Sequence, residues 1–284
     1  MQKLIIILLL GMTCKVNAQT SLIIKLNYQP DHIYEQTDRA SVVSAHYFKK
    51  AGSPTEPSDN DKQALAGTTI MFSDIKLTTK TSAKRDGKIP FIQENTITGW
   101  SQQLNGERNE GPGPSDKSIV YGYFKNTPLR YSTKVDSIHG ADIDDKKRSY
   151  TKSILENYSP AYPLFAIKIG DSFEIKTKEE ISFGSTGVVY FDLLTRYTLT
   201  EIKNGVGYFT KYFFFKQKEI ESSISTFKLS KIDSGSGTFE YDMKNRLVRL
   251  DNSSFGAVAT LEKDNVIMTI HTTVNYDATW NIKK

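Results

Sequence analysis

Residues Gly205–Lys216, GVGYFTKYFFFK, are the stretch whose side chains are most unusual for their spacing. In a strand, successive side chains point to opposite faces. Tyr208, Tyr212 and Phe214 then share one face, and Phe209, Phe213 and Phe215 share the other. Lys211 is the single polar break on the second of these. A strand buried on one side does not need two aromatic faces. Either a helix or loop covers the extra face, or that face lines an apolar groove. Packed core is the common use of such stripes. On the groove reading, Tyr208, Tyr212 and Phe214 are the ligand-binding residues. A tyrosine suits that role because its ring buries apolar area while its hydroxyl reaches water or a head group.

Other chemistry is poorly provided for. There is no G-x-S-x-G elbow, since Ser236 is flanked two residues away by Ser234 and Thr238. Neither a Walker A loop, nor G-x-G-x-x-G, nor H-E-x-x-H occurs. Gly205-Val206-Gly207 and Gly235-Ser236-Gly237 fall between strand-like runs and read as turns. His32, His46, His139 and His271 are isolated, and His271 reads as an exposed residue on the polar face of the last strand. Asp142-x-Asp144-Asp145 lacks the glycine and distant glutamate of a calcium loop. Helix capping, with Asp142–Lys146 and Asp144–Arg148 pairs, explains it better. No catalytic residue, metal or cofactor is expected.

The elements that must position these residues are strands. Val266, Met268, Ile270, Val274, Tyr276, Ala278, Trp280 and Ile282 share one face, broken only by Thr272, and the alternate residues are polar. One packed and one wet face mark an antiparallel sheet. Alternation recurs in Leu22/Ile24/Leu26/Tyr28, Leu129/Tyr131/Thr133/Val135 and Val189/Phe191/Leu193. Further strand-like runs cover 33–48, 68–82, 89–104, 118–125, 172–183, 206–216 and 223–232. Turn pairs separate many of them: Asp86-Gly87, Asn204-Gly205, Lys244-Asn245 and Asp264-Asn265. One helix is predicted over 144–158, from the stripe Tyr150, Ile154, Leu155 and Tyr158, with Pro160 ending it. A shorter helical turn is predicted at 59–66. Residues 49–67 read as a surface insertion. Residues 105–117, rich in Gly and Pro, read as a loop with neither core nor ladder.

Two halves resemble one another faintly. Asp31–Glu35 matches Gly170–Glu174 at an offset of 139, and Asn126–Arg130 matches Asn245–Arg249 at 119. The insertion 49–67 accounts for most of the difference. The organisation read from this is a signal peptide at 1–18, a β half at 19–143, a linking helix at 144–162 and a second β half at 163–284.

Residues 1–18, MQKLIIILLLGMTCKVNA, run from a lysine through an apolar stretch to small residues, with Val16-x-Ala18 as a cleavage site. The apolar stretch is shorter than the ~20 residues of a membrane-spanning helix. Cys14 follows Gly11-Met12-Thr13, a poor lipobox, so simple export is preferred to lipidation. With one Cys among 284 residues, a disulfide framework and a cysteine-ligated zinc site are excluded. A net charge of +5, spread along the chain, argues against nucleic acid. Asn157-Tyr158-Ser159 and Asn252-Ser253-Ser254 are glycosylation sequons relevant only to a eukaryotic secretory route, and Asp136-Ser137-Ile138 fits a bacterial O-glycosylation acceptor.

Leu26-Asn27-Tyr28-Gln29-Pro30-x-x-x-Tyr34, the stretch Pro163 to Phe173, and Gly235-Ser236-Gly237-Thr238-Phe239-Glu240-Tyr241-Asp242 together resemble a tripartite pattern. It belongs to an uncharacterised family of exported Bacteroidetes proteins. Asp31 replaces that pattern's glycine, and Phe173 its usual tryptophan. The resemblance implies a large antiparallel β structure, loosely similar to the half-barrels of periplasmic lipoprotein carriers, which cup acyl chains. It supplies no catalytic residues. The expectation is therefore a mainly β, exported, non-enzymatic protein, periplasmic or outer-membrane-associated. Its partner would be an apolar or amphipathic ligand, or an envelope protein, in a sheet concavity. A structural or cell-surface protein without a small-molecule site is the alternative, and an unrecognised hydrolase the third. No transmembrane segment is expected after signal removal.

Overall fold

A computed structural model describes residues 20–51, 67–104, 107–111, 117–127, 131–140, 143–157, 162–183 and 186–283. The predicted turn at 59–66 and most of the insertion 49–67 lie outside them. In chain order the first half holds β1 (Ser21–Leu22), β2 (Ile33–Lys50), β3 (Gly67–Thr81), β4 (Ile89–Leu104), β5 (Glu107–Gly111), β6 (Lys117–Asn126) and β7 (Tyr131–His139). A helix, α1 (Asp145–Asn157), follows. The second half holds β8 (Ile167–Lys168), β9 (Ser172–Ser182), β10 (Val188–Lys203), β11 (Val206–Glu221), β12 (Lys228–Ile232), β13 (Ser236–Asp242), β14 (Leu247–Lys263) and β15 (Val266–Lys283).

Thirteen of these strands form one antiparallel sheet, ordered β7-β6-β4-β3-β2-β15-β14-β13-β11-β10-β9, with β5 beside β4 and β12 beside β14. The sheet is not closed. β1 and β8 pair separately. The mainly β expectation holds, and α1 is the one α-helix among the described residues. The strand order of the first half, β2-β3-β4-β6-β7, recurs in the second as β9-β10-β11-β13-β14. Left-handed residues occupy matching places. Asp31 (φ 57°) precedes β2 and Gly170 (φ 92°) precedes β9. Asp86-Gly87 joins β3 to β4, and Asn204-Gly205 joins β10 to β11, each with both φ values positive as a tight hairpin requires.

One expectation is corrected. Residues 107–111 are not loop: β5 pairs with β4 from Glu107↔Leu104 to Gly111↔Trp100. β6 covers β4 only as far as Thr96, so the rest of that edge offers unpaired backbone groups. A ladder formed there needs no apolar side chains from the added strand.

The inner face is closed by three additions. Residues 20–31 cross it as an extended strap. Leu22 and Ile24 are buried in a cluster with Phe209, Phe239 and Tyr241 of the second half. Tyr28 stacks on Phe124 of the first half at 3.7 Å. The alternation of Leu22, Ile24, Leu26 and Tyr28 thus marks a packed side, but only Ser21 and Leu22 join a ladder. The strap's backbone is met by side chains. The Tyr241 hydroxyl accepts from the Lys25 N–H at 2.9 Å and donates to the Lys25 carbonyl at 2.8 Å. Gly207 makes room for it, since a Cβ there would lie 2.2 Å from Leu22 Cδ2. The second addition is the segment after β11, whose Phe227 joins Phe183, Phe191 and Leu261. The third is α1, whose Leu155 packs against the buried cluster that holds Phe91, Phe124 and Val135.

The two outer edges are treated differently. β9 carries Lys176, Lys178, Glu179 and Glu180, all exposed, which discourages pairing with another chain. Beside β7, α1 answers an edge amide: Glu156 Oε1 accepts from the Val135 N–H at 2.9 Å and faces Lys134 Nζ at 3.1 Å. Arg148 pairs with Asp145 in the first turn of the helix. The Val135 N–H, then Lys134, hold the Glu156 carboxyl below its ordinary value of 4.5, against a smaller opposing desolvation. Its contribution is present above that ordinary value and is lost as pH falls through the lower folded one. A Glu156→Ala chain should therefore be less stable than wild type at neutral pH, with the gap closing as pH falls below that ordinary value. Urea midpoints compared across pH 3–7 test this, and a gap that does not depend on pH would refute it.

Candidate ligand site on the inner face

β15 lies between β2 and β14, so the register places Asp251, Ala278 and Asp38 side by side on three strands. Ala278 is fully buried between the two carboxylates. Asp38 accepts from Gln36 Nε2 at 2.9 and 3.0 Å and from the Tyr276 hydroxyl. Burial pushes the Asp38 carboxyl up, the hydrogen bonds from Gln36 and Tyr276 oppose this, and Asp251 nearby adds to it.

Asp251 pairs with Lys211 of β11. The Lys211 side chain is only 3% exposed, and its ammonium also lies 3.3 Å from Ser253 Oγ and 5.4 Å from the Phe213 ring centre. Gly237 stands opposite Lys211, where a Cβ would sit 3.0 Å from the lysine Cε and 2.0 Å from the Asn252 carbonyl oxygen. Gly237 therefore serves close packing within β13, which corrects the reading of Gly235-Ser236-Gly237 as a turn. Burial pushes Asp251 up and Lys211 down, while each charge holds the other ionised.

A cavity of about 340 Å³ opens beside this row. Leu26, Asn27 and Tyr28 of the strap form one wall, Tyr276 and Trp280 of β15 another, and Leu155 of α1 a third. Thr133 of β7 and Val248 and Asp251 of β14 also line it. In a flat sheet, β7 and β14 would stand six strand spacings apart, roughly 29 Å. A shared cavity means that the sheet curls round the space.

Tyr208, Tyr212 and Phe214 share a face, as the alternation predicts, and Phe209 and Phe213 are buried on the other. The face of Tyr208, Tyr212 and Phe214 is the one turned away from Phe209 and Lys211. Tyr208 is half-buried, while Tyr212 is 50% and Phe214 45% exposed. Phe214 borders an open depression of about 610 Å³ with Leu194, Lys176 and Asp192, and the Arg196 guanidinium lies 5.1 Å from its ring centre. Neither Tyr208 nor Tyr212 lines that depression.

No histidine lines either space, and His271 is exposed, on the wet face of β15. Among the described residues no group of three or more His, Cys, Asp or Glu could hold a metal ion. No helix among them is long and apolar enough to cross a membrane. No protein-family model matches the chain, and no curated protein matches it significantly.

The sequence reading places Tyr276 and Trp280 on one face of the last strand but misses Asp38 and Asp251 as their neighbours. One signal was present: Lys211 interrupts an aromatic core face, and a buried ammonium requires an acid partner.

Proposed function

We propose that the protein is an exported, non-enzymatic binder of an apolar or amphipathic small molecule, held in the cavity between the strap and the curled sheet. One observation carries this reading. A space of about 340 Å³ persists at the centre of the inner face, walled by Leu26, Tyr28, Leu155, Tyr276 and Trp280. Sites for small molecules begin at about 300 Å³ and are mainly apolar with a few placed polar groups. The lysine–apolar–small order of residues 1–18 supports export.

The test uses diphenylhexatriene, an uncharged hydrocarbon that fluoresces only out of water. Saturable uptake at one molecule per chain is expected. Thr133→Phe, which fills the cavity from β7, should abolish uptake while leaving the melting temperature close to wild type. Tyr212→Ala and Phe214→Ala, on the outer face, should bind normally and shift stability by less than about 1 kcal/mol. Uptake that survives Thr133→Phe but is lost in Phe214→Ala would place the ligand in the outer depression instead. A wild-type chain that takes up no probe would overturn the reading.

A further inference from the structure

The cavity's polar groups are unequal in kind. Asp251 is the one residue with a full charge among those lining it. Its partner Lys211 is not part of the wall and is almost fully enclosed behind it. A second carboxylate, Asp38, stands two strands away on the same face. The wall therefore presents the acid of an ion pair, and Asp38 stands outside the lining, two strands away.

The glutamine donors of the wall are already used by the protein. Gln36 Nε2 donates to both oxygens of Asp38. Gln93 Nε2 donates to Asn95 Oδ1 at 2.8 Å. The Tyr276 hydroxyl is turned to Asp38. A ligand whose head donates hydrogen bonds and carries positive charge would face Asp251, whose side chain is 24% exposed, favourably. A carboxylate head would meet Asp251 as a like charge.

We propose that this cavity takes an amphiphile with a cationic amine head, its apolar part against Tyr28, Leu155 and Trp280 and its ammonium towards Asp251. This rests on the inner-face binding reading and specifies the ligand's chemistry.

Three ligands of equal chain length, decylamine, decanol and decanoate, are competed against bound diphenylhexatriene below their aggregation limits. Decylamine should displace the probe at a concentration lower than decanol by about tenfold or more, as a charge-assisted hydrogen bond supplies. Decanoate should be the weakest. The double variant Lys211→Met with Asp251→Asn removes both ions together. Titrated directly, it should bring decylamine and decanol to within about twofold. Should that variant not fold, decyltrimethylammonium provides the second measurement on the wild-type chain: with the charge but no N–H donor, it should compete less well than decylamine. Decanol or decanoate competing as well as decylamine, with probe uptake intact, overturns the amine assignment and leaves the binding reading standing. Absence of probe uptake overturns the binding reading itself.

Discussion

A Phe239→Ala chain is expected to lose about 3–5 kcal/mol of folding stability, the usual cost of removing a fully buried aromatic ring. Phe239 is 0% exposed at the centre of the cluster that holds the strap. Its ring centre lies 5.5 Å from both Tyr197 and Phe209 and 5.8 Å from Tyr162, in edge-on and tilted arrangements. Each such contact contributes beyond simple area burial. Alanine would leave a void between β10, β11 and β13 that the paired strands cannot close, because their spacing is fixed by the ladders. Urea unfolding should show a lower midpoint with an unchanged slope. A loss below about 1 kcal/mol would mean that the cluster is not packed as described.

Lys211→Met should cost a similar amount, about 3–5 kcal/mol, by a different cause. The methionine fits the lysine's volume, but Asp251 is left as an uncompensated charge on the inner face. Adding Asp251→Asn should recover most of the loss, since replacing both members of a buried ion pair is often close to neutral. The single variant should also respond to acid. Burial already pushes the Asp251 carboxyl up, and removing the ammonium removes what holds it down. A raised folded value means that the protonated form suits the native state, so the penalty is largest above that value. The single variant's deficit should therefore shrink as pH falls from 7 towards 4. A deficit that grew on acidification, or a double variant no better than the single one, would show that the two groups do not act as a pair.

The outward and inward faces of the strands were legible because period two is a local property. β15 is an unbroken strand of 18 residues, with Ile270, Thr272 and Ala278 buried and His271, Thr273 and Asp277 exposed. Even Thr272, which breaks the apolar stripe, is inside, bonded to Ser44 Oγ at 3.0 Å. What alternation cannot tell is which strand stands next to which. Asp38, Asp251 and Trp280 meet because the last strand inserts between β2 and β14, a choice made by pairing across more than 200 residues. The strap misled for a related reason: its alternation reports a packed side, and Tyr241 supplies the partners that a neighbouring strand would have given. Residues 107–111 misled in the opposite sense, since their pairing depends on the free end of β4 and hardly on their own composition. The outer aromatic stripe was read correctly as a face. Its place relative to the cavity depends on the curl of the whole sheet, which no local pattern encodes.

The strap also fixes an order of events during synthesis. Lys25 and Tyr241 are separated by 216 positions. At about 5–20 residues per second, the hydroxyl that holds Lys25 leaves the ribosome roughly 10–40 s after the strap itself. Leu22 and Ile24 must spend that interval away from their final neighbours, and β2 likewise waits for β15. The wall formed by Leu26, Asn27 and Tyr28 is thus made among the first residues and completed among the last.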